Sequence, residues 1–223
     1  MRRCTRLTRV FPTLFLSVIL VLSLCGRGHA GEGDDLVAKL LRTDVAESPA
    51  AIAELIKAAD DQTVHGLMKI VEERRDDWKL QISAIRLLGE IADPAATDLL
   101  IKVVTDPFFT NECPALKWNG IIALGNFRDD SRVVDALLHR WNEDTLYLRE
   151  AVIQSLGQIG NREALPYLIS ALEDKHFAVR MSAVRALEAM NDPRAIPFLR
   201  RIAKDDSDLQ VRDEALKALD LLK

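Results

Sequence analysis

Phe177-Ala178-Val179-Arg180-Met181-Ser182-Ala183-Val184-Arg185-Ala186-Leu187-Glu188-Ala189-Met190-Asn191-Asp192-Pro193-Arg194-Ala195-Ile196-Pro197-Phe198-Leu199 reads as helix, turn, helix. Val179, Ala183, Val184 and Leu187 recur at i, i+4, i+5 and i+8, which gathers them on one helix face. Asn191-Asp192-Pro193 interrupts that period. An aspartate there can accept a backbone N–H that has no partner inside its helix. Pro197 suits the first turn of a new helix, because it has no N–H to leave unpaired, whereas an interior helical proline costs about 3 kcal/mol. The second helix is therefore expected to start near residue 196.

The same arrangement recurs along the chain. Lys79–Gly89, Ala115–Gly125, Tyr147–Gly160 and Gln210–Leu219 repeat the first helix. Aligned on Gly89, Gly125, Gly157, Glu188 and Asp220, the copies are spaced by 36, 32, 31 and 32 residues, and a leucine precedes every anchor. The turns carry Asp93-Pro94, Asp129-Asp130, Asn161-Arg162 and Asp192-Pro193. Asp98, Asp135, Pro166 and Pro197 follow, so second helices are expected near 97, 134, 165 and 196. A worn copy lies upstream: Leu55 aligns with Leu88, Asp60 with Asp93, and Leu67–Val71 with Leu100–Val104. Five helix pairs and a final helix over 208–222 result. One such pair cannot bury its own apolar face and must stack on neighbours, which predicts an all-α solenoid of antiparallel helix pairs. The charges of the final helix (Asp213, Glu214, Lys217, Asp220) suit a cap with a polar outer face.

The pattern Val179-Arg180, Ala183, Ala186-Leu187, then Asp192-Pro193-Arg194-Ala195-Ile196-Pro197 and Leu199, resembles the short HEAT-like repeat, also called the phycobilisome-lyase type. The resemblance covers residues 46–222. It implies a right-handed α-solenoid with the second helices on the concave side. It also implies a structural role for the ladder Gln81, Lys117, Arg149, Arg180 and Arg212, whose side chains would pair with turn aspartates of adjacent repeats. HEAT-like hydroxylases hold two irons with repeated His-Glu pairs. Here none of His29, His65, His139 and His176 is followed by Glu, so that activity does not carry over. No catalytic residue of the bilin lyases can be matched either. His-Glu-x-x-His, a Gly-rich phosphate loop, Cys-x-x-Cys and Gly-x-Ser-x-Gly are all missing from the sequence, so no catalytic, cofactor or metal site is expected.

The 223 residues hold 30 Lys+Arg and 34 Asp+Glu, a formal net charge of −4. That figure averages two materials. Residues 1–30 contain five arginines and no acidic residue, so the remainder has 25 basic and 34 acidic residues, a net −9. The balance argues against nucleic-acid binding. Arg2–Arg9 lead into an apolar run, Phe11–Cys25, that is short for a membrane span, and small residues flank a cleavage position after Ala30. This is the pattern of a secretory signal peptide, which places the chain in the periplasm or outside the cell; the alternative is an uncleaved anchor. Leu22-Ser23-Leu24-Cys25 approaches a lipobox, but Leu24 stands where Gly, Ala or Ser is usual, which disfavours a lipid anchor at Cys25. Residues 31–45 form an N-terminal segment with a short helix, and 46–223 the repeats. Only Cys113 remains after cleavage, so it has no cysteine to pair with inside the chain.

Two surfaces are candidates for partner binding. Aligned positions on the second helices read Lys69, Lys102, His139, Ser170 and Arg201, with Arg140, Arg200 and Lys204 nearby. Such a stripe on the concave side of an acidic protein would hold an acidic segment of a protein partner; the alternative is an ordinary solvated face. Pro107-Phe108-Phe109-Thr110-Asn111-Glu112-Cys113 accounts for the long 36-residue spacing. Phe108 and Phe109 either plug a gap between repeats or form an exposed contact. Trp78, Trp118 and Trp141 read as edges of the stack, with Trp78 a candidate recognition residue. The function expected is a non-catalytic scaffold or adaptor; the alternative is an enzyme-associated factor related to bilin lyases, or a regulatory subunit.

Overall fold

A computed structural model describes residues 52–53, 56–107, 109, 113–142 and 145–222. The expected signal peptide (1–30), Cys25, the 31–45 segment and Phe108 lie outside the described residues. The described residues contain ten α-helices and no strand, in the order of an α-solenoid.

The chain divides into two compact units, one up to Ala96 and one from Thr97. In the first, α1 (Asp61–Glu73) packs on α2 (Trp78–Ile91), and a 3-10 turn follows at Pro94–Ala96. Asp60 caps α1 by accepting from the Thr63 N–H, and Asp77 caps α2 by accepting from Leu80 N–H. Gln81, first rung of the ladder, is buried and donates to the Val71 carbonyl at 2.7 Å, which ties the two helices together.

The second unit holds α3 (Thr97–Thr105), α4 (Pro114–Leu124), α5 (Ser131–His139), α6 (Leu146–Ile159), α7 (Leu165–Ala171), α8 (Phe177–Met190), α9 (Ile196–Asp205) and α10 (Leu209–Leu221). The first helices of successive repeats, α4, α6, α8 and α10, stack side by side. Each second helix packs on the first helix that follows it: α3 on α4, α5 on α6, α7 on α8 and α9 on α10. The leucines before the anchors, Leu124, Leu156 and Leu187, are fully buried. Each contributes about 2 kcal/mol on the usual scale for an apolar side chain leaving water.

Close approach of the first helices depends on small residues. A Cβ placed on Gly157 of α6 would lie 2.5 Å from both Cα and Cβ of Ala186 on α8. Polar groups reinforce the stack. Ser155, buried on α6, donates to the Ile121 carbonyl of α4 at 2.8 Å, and Gln158 donates to Asn126 at 2.5 Å.

The turns follow the sequence logic. Asn161 accepts from Glu163 N–H, Asp192 from Arg194 N–H, and a 3-10 turn then leads into α7 and α9 at Leu165 and Ile196. α3 also starts at the expected Thr97, but α5 starts at Ser131 rather than near 134. There Asp130 accepts from Arg132 N–H and the chain enters α-helical geometry at once, without the 3-10 turn. Asp208 caps α10 by accepting from Gln210 N–H. Exposed Leu209 and Leu216 lie on α10, so its outer face is not the uniformly polar cap its charges suggested.

Candidate functional site

The predicted cationic residues divide by environment. Lys69 sits on α1, in the first unit, and already has a partner. The others lie in the second unit. Arg140, at the end of α5, is half-buried and donates from Nη2 to the Thr105 carbonyl at 2.9 Å, so it staples two repeats together. Arg201 on α9 forms an ion pair with Glu173. Lys102 (α3), His139 (α5), Arg200 and Lys204 (both α9) are exposed and have no ion-pair partner among the described residues. Acidic groups sit among them: Asp98 on α3 receives Arg132 Nη1 at 2.6 Å, and Arg132 also grips Asp130. These two carboxylates hold the Arg132 guanidinium well above its ordinary pKa, Asp130 by the stronger hydrogen bonding. The second-helix face is thus a mixed-charge array with exposed cations at intervals, and ion pairs between repeats take up part of the stripe seen in sequence.

The ladder on the first helices is buried more deeply. Arg149 Nη1 meets Asp174 Oδ2 at 2.6 Å. Arg180 makes a two-point contact with Asp206, Nε to Oδ2 at 2.7 Å and Nη2 to Oδ1 at 2.8 Å, and donates from Nη1 to the Asp174 carbonyl at 2.9 Å. Each arginine thus clamps the turn that leads out of its own repeat. Lys117 is buried and has a partner.

The Arg149–Asp174 pair forms one wall of a cleft of about 380 Å³ whose lining also includes Trp141, Asn142, Ser170 and Lys175. Trp141 is held edge-on against Tyr167, with ring centroids 5.5 Å apart and planes at 69°. Sequence reasoning placed Trp141 at a repeat edge and did not single out Asn142 or Lys175. The cleft is assembled from residues between 141 and 179, and no local motif marks it. Its volume is near the lower limit for small-molecule sites, which are usually lined by apolar side chains; this one is mainly polar.

Phe109 is buried, as a plug between repeats would be, and Cys113 is half-buried. Trp78 and Trp118 are exposed. Among the described residues no three His, Cys, Asp or Glu side chains come together in a metal-binding cluster. No helix among them is long and apolar enough to cross a membrane.

Comparison with known proteins agrees with this geometry. The model for HEAT repeats matches residues 64–151 and 145–220. Over 86 residues the chain is 37% identical to the phycocyanobilin lyase subunit alpha of Picosynechococcus sp., covering 35% of this chain and 32% of that protein. Over 82 residues it is 33% identical to the deoxyhypusine hydroxylase of Candida albicans, covering 36% of this chain and 26% of that protein. The chain therefore spans about a third or less of the length of these curated relatives. The solved complex of CpcE and CpcF of phycocyanin lyase from Nostoc sp. PCC7120 superposes with a TM-score of 0.56 at 22% identity, covering 83% of this chain and 75% of that one. With the model for HEAT repeats matching most of its length, the chain belongs to the HEAT repeat proteins.

Proposed function

We propose that the chain is an exported, non-catalytic protein-binding scaffold that uses the second-helix face of its second unit to hold an acidic segment of a protein partner. One observation carries this reading: Lys102, Arg200 and Lys204, together with the imidazole of His139, stand exposed with no ion-pair partner among the described residues on the second helices of a net-acidic protein. Cations not committed to the fold keep their full potential for an incoming carboxylate, and opposite potentials speed encounter and fix register. Export rests on residues 1–30, with their arginines, apolar run and cleavage position after Ala30. The test compares partner capture from envelope extract by the wild type and by Lys102→Glu/Arg200→Glu/Lys204→Glu, with binding of a polyglutamate peptide measured in parallel. The reading expects both to fall sharply in the variant, and the wild-type affinity to weaken as salt rises. Equal capture and equal peptide binding would sink it. Recovery of the protein only from the cytoplasm would remove the export claim by itself.

A second reading is favoured by the 37% identity to a phycocyanobilin lyase subunit: an enzyme-associated factor that handles an open-chain tetrapyrrole. The cleft lined by Trp141, Arg149 and Lys175 is where such a ligand's propionates would be held. A protein that purifies with visible absorbance, or gains it on mixing with a bilin, would favour this reading. One that remains colourless while capturing a protein favours the scaffold.

A further inference from the structure

Arg149 and Arg180 hold the same rung of the ladder in successive repeats, yet they use their donors differently. Asp174 and Asp206 are equivalent too: each lies shortly before a first helix and accepts the N–H two residues on, from His176 and Asp208. Arg180 grips Asp206 with its Nε–Nη2 edge, and Nη2 also reaches the Ser207 hydroxyl at 3.4 Å. Arg149 meets Asp174 through Nη1 alone. Its Nε is buried with no acceptor, and its Nη2 makes no hydrogen bond among the described residues. The edge that takes a carboxylate in one repeat therefore has no acceptor in the other.

The surroundings of that edge favour an anion. Arg149 lines the cleft beside Trp141, and Lys175 stands at the place that Ser207 holds in the next repeat. A hydroxyl can accept a hydrogen bond, whereas an ammonium only donates. Lys175 is exposed and has no ion-pair partner among the described residues. The acid that lines the cleft, Asp174, is already engaged, Oδ2 with Arg149 Nη1 and Oδ1 with the His176 N–H. Among the lining residues the uncommitted charge is thus positive. A buried N–H without an acceptor is costly, and an arginine edge matches the two oxygens of a carboxylate, as Arg180 does with Asp206.

We propose that this cleft binds a carboxylate, free or carried on a peptide, seated on the Nε–Nη2 edge of Arg149 with the Lys175 ammonium as second contact. Because Nε is sealed from water, the guanidinium turns about its Asp174 contact as the ligand enters, and the stranded N–H gains its acceptor. The volume of about 380 Å³ admits the acid together with several atoms of its carrier. A tetrapyrrole's propionates would sit in the same cleft, but carboxylate binding there requires neither functional reading.

The test uses the full chain with isotope-labelled arginine and follows the Nε–H signals of Arg149 and Arg180 by NMR. The probes are glutarate, a capped Gly-Glu-Gly peptide, the capped Gly-Gln-Gly peptide, and sodium chloride at matched ionic strength. Glutarate or the Glu peptide should move the Arg149 signal saturably and leave Arg180, already on Asp206, in place. The Gln peptide should bind about tenfold more weakly, because it lacks the charge that strengthens the paired hydrogen bonds. A response to glutarate alone assigns a small acid, and one to the Glu peptide alone a protein partner; either supports the proposal. Lys175→Gln should weaken binding several-fold with the melting temperature unchanged, since the side chain is exposed. An Arg149 signal that stays still, moves together with Arg180, or responds equally to the Gln peptide or to chloride would overturn the proposal, as would full affinity in Lys175→Gln. So would a shift of that signal in ligand-free Glu143→Gln/Asp144→Asn, which would put the chain's own carboxylates on the edge. Neither the cations of α3 and α9 nor visible absorbance enters this readout, so it and the two functional readings can fail separately.

Discussion

Arg180 on α8 grips Asp206, in the turn before α10, with two nitrogen–oxygen distances of 2.7 and 2.8 Å, and the two side chains are only 11% and 3% exposed. The pair links successive repeats where no helix hydrogen bond can. Removing one member leaves the other charge buried without its counterpart, which typically costs 3–5 kcal/mol. Asp206→Ala should therefore destabilise the second unit by about 3 kcal/mol, the lower end of that range, because Arg180 keeps some access to water. Chemical denaturation followed by circular dichroism reads the loss. An exposed pair such as Arg185–Glu214 should cost less than about 1 kcal/mol when cut at Arg185, which is the control.

Acid should weaken the fold through the same carboxylates. The Arg180 guanidinium holds Asp206 below the usual carboxylate range, and the Arg194 side chain, helped by its backbone N–H, holds Asp192 down at about 2. A carboxyl whose folded pKa is depressed binds its proton more readily when unfolded, so its contribution is complete above the unfolded value of 3.8 and disappears as pH falls through the folded value. The melting temperature should therefore drop between about pH 4 and about pH 2, and drop less steeply in Asp192→Asn/Asp206→Asn. Parallel pH profiles for wild type and variant would remove these two groups from the account.

The repeat itself was legible because it is written in positions that packing constrains. The leucine before each anchor, the Asp or Asn of each turn and the Asp or Pro five residues later each answer one local requirement, and α3, α7 and α9 begin where those signals place them. α5 begins early where Val133 stands in the place of the buried alanine that ends each 3-10 turn (Ala96, Ala164 and Ala195). The division at Ala96 was not legible, since α2 and α3 follow the same register as every other repeat. The ladder of Arg149 and Arg180 was legible as structural, but its partners Asp174 and Asp206 lie in the turn that leads out of each arginine's own repeat, not among the turn aspartates read from sequence. The cationic stripe was legible only as composition. Whether Arg201 stands free or turns to Glu173 depends on how neighbouring repeats are stacked, a relation across 28 residues that periodicity does not encode.

α2 ends on Ala92 in the left-handed region, at φ 53°, with its N–H donating to the Leu88 carbonyl. The equivalent cap of α6 is Gly160, at φ 72°. An L-residue with a Cβ is strained there by roughly 1–2 kcal/mol, part of which returns as the greater chain entropy of glycine when unfolded. Ala92→Gly should stabilise the first unit by about 0.5–1 kcal/mol, visible as a higher melting temperature. A lower one would mean that the αL cap relaxes at no cost in the native protein.

Gly157→Ala should go the other way, although both positions lie toward the C-terminal ends of first helices. By propensity alone alanine is better than glycine in a helix interior by about 1 kcal/mol. Packing opposes this, because the new Cβ would stand 2.5 Å from the Cα and Cβ of Ala186, and backbone cannot yield as a flexible side chain can. α6 and α8 would have to part, loosening the layer that buries Ile153 and Val184. Overpacking of this kind costs about 1–3 kcal/mol, enough to reverse the sign of the propensity gain. Denaturant titration should therefore show net destabilisation for Gly157→Ala. Relief should come from Ala186→Gly in the same chain. That change removes the opposing methyl group but leaves the backbone of α8 in the way, so recovery should be partial. A stabilising Gly157→Ala would instead show that close approach of the first helices is not what holds this stack together.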